Sequence, residues 1–243
     1  MDAIIDLFEG LQRMSPGSEA TTSEAIATAT QGRTWRSLVE FGCGRGISTM
    51  LLAEQTSAKI TAVDTCGAFL QQLQVEAATR GYADRVHIRQ QSMDTTWPEG
   101  TSFDAVWCEG SVYSIGLDNA LRLWHPLLSP GGVLAVSDLV WLTDSPDPEA
   151  DAYWKRQGVS LRSRGEIEQL LPEHGFRLLS SFVFPDSDWQ NYYGPISQRL
   201  ETWIDGYTDR QEAELVAAAF EEEMATYSRF GQQYGYVFFL AEV

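Results

Sequence analysis

The residues with the clearest chemical meaning form one short run, Leu38-Val39-Glu40-Phe41-Gly42-Cys43-Gly44-Arg45-Gly46. An apolar strand ends in an acid, and glycines spaced G-x-G-x-G follow before a helix. Glycine at such a turn lets the backbone bend sharply and pass close to a ligand with no Cβ in the way. Glu40 narrows the choice of ligand, because a carboxylate there repels a pyrophosphate and suits a cationic sulfonium or ammonium. The spacing also departs from the G-x-G-x-x-G of dinucleotide enzymes. A second acid, Asp64, ends the next apolar strand about 20 residues past the first glycine, where a carboxylate accepts both hydroxyls of a ribose. That placement serves NAD equally well, and capping of the next helix is compatible with it.

Further candidates lie later in the chain. Glu109 falls just past the fourth strand and reads as a substrate ligand or base, or as a surface acid in a strand-end loop. Tyr113, four residues on, either aims its hydroxyl at the same space or packs as an ordinary ring. The histidines fall elsewhere: His87 inside a strand, His125 at a helix end and His174 in a turn. A histidine base is therefore not expected. Cys43 sits in the glycine loop without a nucleophile's context, and Cys108 is expected to face the core. Trp141 follows the fifth strand, and Trp189, Tyr192 and Tyr193 cluster in a polar stretch that reads as a loop. Such rings pack a lid, cage a cationic acceptor, or anchor the late helices.

Positioning these residues requires alternating strands and helices. Ser37–Phe41, Lys59–Val63, Val86–Arg89, Phe103–Trp107 and Val133–Ser137 read as strands, and Tyr236–Leu240 closes the chain as another. Leu117, Ala120, Leu121 and Trp124 recur at i, i+3, i+4 and i+7, which marks a helix packed on a sheet. Alternation of this kind predicts an α/β fold with a mostly parallel sheet covered by helices on both faces. The segment 1–31 reads as a helical cap broken at Ser15-Pro16-Gly17-Ser18, where Ser18 can cap the helix that follows. Residues 139–232 read as substrate-side helical and aromatic additions to one domain spanning 1–243.

Composition limits the partners. The 243 residues carry 34 acids against 17 bases, a formal net charge of −17. Nucleic-acid binders neutralise phosphates with Lys and Arg, so this balance argues against DNA or RNA and disfavours an anionic membrane surface. No apolar run reaches the roughly 18–20 residues of a membrane span. The acidic start, Met1 to Asp6, lacks the basic segment of a secretion signal. Three scattered cysteines make no disulfide framework, and a cytoplasmic location is expected. No metal set is evident, and a homodimer is compatible with this reading.

With Ser15-Pro16-Gly17-Ser18, Glu40 to Gly46, Asp64, Ser92-Met93-Asp94, Glu109-Gly110, Pro130-Gly131-Gly132 and Tyr236-Val237-Phe238-Phe239 in view, the chain resembles the class I S-adenosylmethionine-dependent methyltransferases. It looks closest to small-molecule members related to the ubiquinone-biosynthesis type. The resemblance implies a Rossmann-like seven-stranded sheet with an antiparallel last strand, and S-adenosylmethionine as cofactor. It implies that Glu40 orients the methionyl end, that Gly42, Cys43 and Gly44 pass beside the cofactor, and that Asp64 holds the ribose. Ser15, Gly17 and Ser18 would cover the cofactor carboxylate, and Glu109 lies at the mouth of the same site. Ser92 stands where many relatives carry an acid beside adenine, so the Met93 backbone N–H or Asp94 is left to serve there.

Methyl transfer is a displacement in which alignment supplies most of the rate. An amine or thiolate acceptor needs no strong base at attack, which fits the histidine positions; a hydroxyl acceptor would call on Glu109 or Tyr113. The competing expectations are a non-catalytic cofactor-binding protein and an NAD-dependent oxidoreductase, the latter disfavoured by the glycine spacing and Glu40.

Overall fold

The computed structural model describes residues 3–243; Met1 and Asp2, the first two residues of the acidic start and of the 1–31 cap, lie outside it. Seven strands form one sheet: β1 (Ser37–Phe41), β2 (Lys59–Asp64), β3 (Val86–Gln90), β4 (Phe103–Cys108), β5 (Leu128–Trp141), β6 (Arg177–Val183) and β7 (Tyr234–Glu242). Their spatial order is β3-β2-β1-β4-β5-β7-β6. Strands β1 to β5 pair in parallel, and β7 runs antiparallel between β5 and β6. The order reverses between β1 and β4, so the loops after Phe41, Asp64 and Cys108 meet at the carboxyl edge, where ligands bind in such sheets.

The helices are α1 (Ala3–Leu7), α2 (Glu19–Ala29), α3 (Ile47–Gln55), α4 (Gly67–Thr79), α5 (Leu117–Trp124), α6 (Pro148–Arg156), α7 (Arg164–Glu173), α8 (Asp186–Gly206) and α9 (Arg210–Phe230). Alternation along β5 builds two cores at once. Val133 and Ala135 face α2, α3 and α4, while Leu134 and Val136 face α5 and α7. All four apolar residues of the α5 stripe are buried. Local signals set the ends of helices: the Ser18 hydroxyl accepts the Thr21 N–H at 3.1 Å to start α2, and Ser163 with Glu166 closes a reciprocal capping box on α7. Burial of apolar side chains on both faces supplies the main driving force.

A third core lies beyond the carboxyl edge, where α1, α6, α8 and α9 gather around Leu139, Trp141 and Tyr234. Here the structure corrects the sequence reading. Trp189, Tyr192 and Tyr193 are not in a loop; they lie in α8 at helical spacing with Ile196, Leu200 and Trp203, all buried. The polar residues around them and the Gly194-Pro195 pair hide that period, because proline inside a helix removes a hydrogen bond and reads as a break. β5 also exceeds its expected span, since Val133–Trp141 pairs residue by residue with β7. Trp141 therefore ends this strand instead of following it. Among the described residues, no helix is long and apolar enough to cross a membrane.

Candidate active site

The turn after β1 is built from positive backbone angles. Gly42 and Gly44 have φ of 67° and 53°, where a side chain is strained. A Cβ on Gly42 would meet the Ser111 hydroxyl at 2.1 Å, and one on Gly44 would meet the Met14 methyl at 2.5 Å. The loop is held by Asp64, which ends β2: its Oδ2 accepts the Gly44 N–H and its Oδ1 the Cys66 N–H, both at 2.8 Å. Next to this loop opens a cavity of about 540 Å³. Gly42, Cys43, Gly44 and Asp64 line one side of it, and Ser92, Met93 and Asp94 line another.

Glu40 stands behind this wall. It is 1% exposed, and its two oxygens accept the hydroxyls of Ser48 and Thr49 at 2.5 Å each. Burial pushes its pKa up to about 7, with smaller contributions from the Glu109 and Asp64 charges. Ser48, unlike Glu40, lines the cavity. Glu40 therefore makes no wall of its own, and the Ser48 hydroxyl that it holds stands between it and the cavity. Burial likewise holds the Cys43 thiol well above its ordinary range, which keeps it protonated and unreactive.

Glu109 reaches the cavity but is not a free carboxylate. Its Oε1 lies 3.3 Å from Arg13 Nη1, and the Thr22 hydroxyl donates to Oε1 and Oε2 at 3.0 and 3.1 Å. Burial raises its pKa, while Arg13 and Thr22 pull it back. It braces the N-terminal segment against the end of β4, so a freely available base is not what the geometry offers. Ser15 lines the cavity, whereas Gly17 and Ser18 do not. Ser18 is used as the α2 cap, and Gly17 leaves room for the ion pair: a Cβ there would meet Arg13 Nη1 at 2.6 Å. The Gly17 N–H donates to the Asp188 carbonyl at 3.2 Å, which fastens this segment to α8.

A second chamber of about 160 Å³ adjoins the first, and Met14, Ser15, Gly110 and Tyr113 line both. Its other walls include Trp154, Trp189, Tyr192, Tyr236 and Glu223. Tyr113 is 61% exposed and stands at the junction. Two expected substrate residues do not line either space. Trp141 is buried and packs edge-on to Tyr234 with ring centroids 6.0 Å apart, and Tyr193 lies behind the chamber, donating its hydroxyl to Glu223 at 2.9 Å. Sequence reasoning missed Arg13, Thr22, Gln91 and Glu223. The first and third are telling, because Arg13 Nη2 and Gln91 Nε2 are buried donors at the cavity wall with no partner among the described residues.

These features fit S-adenosylmethionine. Gly42 and Gly44 line the cavity where a nucleoside would pass, Asp64 presents a ribose acceptor, and Arg13 brings a spare donor suited to a carboxylate. Among the residues that line the cavity, Asp64, Asp94 and Glu109 outnumber Arg13 and Arg45, a balance suited to a sulfonium and an ammonium.

Residues 38–132 match the methyltransferase domain family. An uncharacterized protein of Synechococcus is 34% identical over 101 residues, an alignment spanning 41% of this chain and 24% of that protein. O-methyltransferase resE of Aspergillus sclerotiorum is 26% identical over 98% of this chain and 92% of its own length. The SAM-dependent methyltransferase from Geobacter sulfurreducens, solved with S-adenosyl-L-homocysteine, superposes with a TM-score of 0.83 at 16% identity, covering 99% of this chain and 98% of that one. None of these names bears on the narrower likeness to the ubiquinone-biosynthesis type. The domain match covers the segment from β1 to the start of β5, and the strand order and overall fold are those of the solved S-adenosylmethionine-dependent methyltransferases.

Proposed function

We propose that the chain transfers a methyl group to a small molecule seated in the 160 Å³ chamber, with nitrogen or sulfur as the accepting atom. The observation that carries this reading is the shared wall: Ser15, Gly110 and Tyr113 border both the cofactor cavity and the chamber. When bound, S-adenosylmethionine supplies an activated methyl group on a sulfonium. Asp64 would accept the ribose hydroxyls, Arg13 would pair with the carboxylate, Ser48 would stand between the methionyl end and Glu40, and Ser92 to Asp94 would bound the adenine end. Gly110 is held in place by its N–H, which donates to Ser137 Oγ at 2.8 Å. The residues thereby align donor and acceptor across one opening, and alignment is the main demand of the displacement.

Nitrogen or sulfur is favoured because Glu109 is neutralised by Arg13 and Thr22, leaving a hydroxyl acceptor without a ready base beside the methionyl end. The Aspergillus relative, named an O-methyltransferase, favours a second reading in which a hydroxyl is methylated. Incubating the pure protein with methyl-labelled S-adenosylmethionine and a fractionated metabolite extract tests the assignment. The expected result is a labelled small molecule that is lost in Asp64→Ala, and its chemical identification decides between nitrogen, sulfur and oxygen. Absence of any labelled product while the cofactor binds normally would favour a non-catalytic binding role.

A further inference from the structure

Glu223 has no evident function in the domain. It comes from α9, in the acidic run Glu221-Glu222-Glu223, whose first two members are exposed. Glu223 alone of the three turns inward and lines the aromatic chamber. Its Oε1 accepts the Tyr193 hydroxyl at 2.9 Å, and Oε2 takes no hydrogen bond from a described residue. Among the twelve residues that line the chamber there is no Lys, Arg or His, and Glu223 is the single carboxylate. The rings of Trp189, Tyr192, Trp154 and Tyr236 make up much of the remaining wall, and the first three residues are 2%, 8% and 8% exposed.

A carboxylate withdrawn from water without a counter-charge is unfavourable. Neighbouring groups register its presence: burial first, and the Glu223 charge second, hold the phenols of Tyr113, Tyr153, Tyr192, Tyr193 and Tyr234 above their ordinary range. These phenols stay neutral and add no charge, burial raises the pKa of the Glu223 carboxyl itself, and no lining residue of the chamber is a cation. Aromatic faces carry negative charge density at their centres and attract cations in the same way. A phosphate or carboxylate group at this end would face the Glu223 carboxyl with no cationic side chain on the wall to offset the repulsion. The overall excess of acids adds a long-range field that draws cations inward.

From this arrangement we infer that the chamber is a subsite for an ammonium group on the acceptor, with Glu223 as its counter-charge and the surrounding rings as its walls. The inference rests on the chamber being the acceptor site. It defines the substrate class as a small amine that enters protonated and passes that proton to the Glu223 carboxylate before its nitrogen lone pair attacks the methyl group, and it disfavours acceptors that present an anion to α9.

The test uses choline, a quaternary ammonium that cannot accept a further methyl on nitrogen, against 3,3-dimethylbutan-1-ol, its neutral carbon analogue. Both are titrated by calorimetry into the full chain saturated with S-adenosylhomocysteine. Choline is expected to bind at least tenfold more tightly than the alcohol, and Glu223→Gln is expected to abolish that preference while leaving S-adenosylhomocysteine affinity unchanged. Equal binding of the two probes, no binding of choline, or a preference that survives in folded Glu223→Gln each overturns the inference. Tighter binding of the alcohol, which shares choline's hydroxyl and lacks its charge, overturns it as well. The wild-type comparison stands even if the variant fails to fold. Loss of S-adenosylhomocysteine binding in wild type would instead defeat the cofactor reading, so the two failures are distinguishable.

Discussion

Arg13 closes over the cofactor cavity by pairing with Glu109 at 3.3 Å, joining a segment before α2 to the loop after β4. Both side chains are largely withdrawn from solvent, 13% and 5% exposed, and Gly17 has no side chain to obstruct them. The pair therefore positions Arg13 as much as it stabilises the fold. Glu109→Gln keeps the shape and removes the charge. We expect it to destabilise the protein by about 1–3 kcal/mol and to weaken S-adenosylhomocysteine binding through a loosened Arg13. Thermal unfolding and calorimetry check both. A variant that loses turnover with stability and cofactor affinity intact would show Glu109 acting on the acceptor instead.

Glu40 predicts a pH dependence. Burial raises its pKa from 4.5 to about 7, so the folded state holds the proton more tightly than the unfolded chain. Its contribution to stability therefore declines as pH rises from about 4.5 to 7 and is level above that. The span corresponds to as much as about 3 kcal/mol. Glu40→Gln should flatten this part of the profile relative to wild type, because Ser48 and Thr49 retain a polar partner. Denaturant unfolding at pH 5 and pH 8 measures it. A difference between the two proteins that does not change with pH would contradict the shift.

Gly42→Ala places a Cβ 2.1 Å from Ser111 Oγ at a φ of 67°. Strain of this kind costs on the order of 1–3 kcal/mol, and displacement of the loop should weaken S-adenosylhomocysteine binding at least tenfold. Gly100→Ala is the control, because it also has positive φ (81°) with nothing within 4 Å of the added Cβ. It should lose some stability and keep its cofactor affinity. Equal effects of the two changes on affinity would mean that contact with Ser111 is irrelevant.

The aromatic residues of α8 divide by their contacts. Trp189 is 2% exposed and stacks on Tyr227 with centroids 4.3 Å apart, so Trp189→Ala should cost about 3–5 kcal/mol as a core deletion. Tyr193→Phe removes a single hydroxyl from Glu223 and should instead raise the acceptor KM several-fold, with cofactor affinity unchanged. An unchanged KM in Tyr193→Phe, measured with the labelled acceptor, would separate Glu223 from acceptor binding.

Much of the cofactor side was legible because local chemistry sets it. Gly42, Gly44 and Asp64 follow short apolar strands whose ends the alternation already locates, and a parallel sheet brings such ends together. The aromatic side was less legible. In α8, Trp189, Tyr192, Tyr193, Ile196 and Leu200 have a helical period, but Gly194 and Pro195 interrupt it in the sequence. Glu223 lies in a run of three glutamates that reads as a solvated helix face, and it turns inward only because α9 packs against α8. Arg13 is a single base in an acidic chain, and its partner is 96 residues away. Contacts of that separation leave no periodic trace. Ser18 caps α2 as its sequence context suggests and does not also line the cavity, while Trp141 resembled a site residue and is core.

The central claim is that the cavity at the β1–β4 switch point binds S-adenosylmethionine through Asp64 and the glycine loop. Titration calorimetry of wild type and Asp64→Ala with S-adenosylhomocysteine, and of wild type with NAD, tests it most directly. The account predicts one saturable site for S-adenosylhomocysteine, no comparable binding of NAD, and a loss of about 1.5–3 kcal/mol in folded Asp64→Ala. Equal affinity of Asp64→Ala and wild type, or preferential binding of NAD, would contradict it.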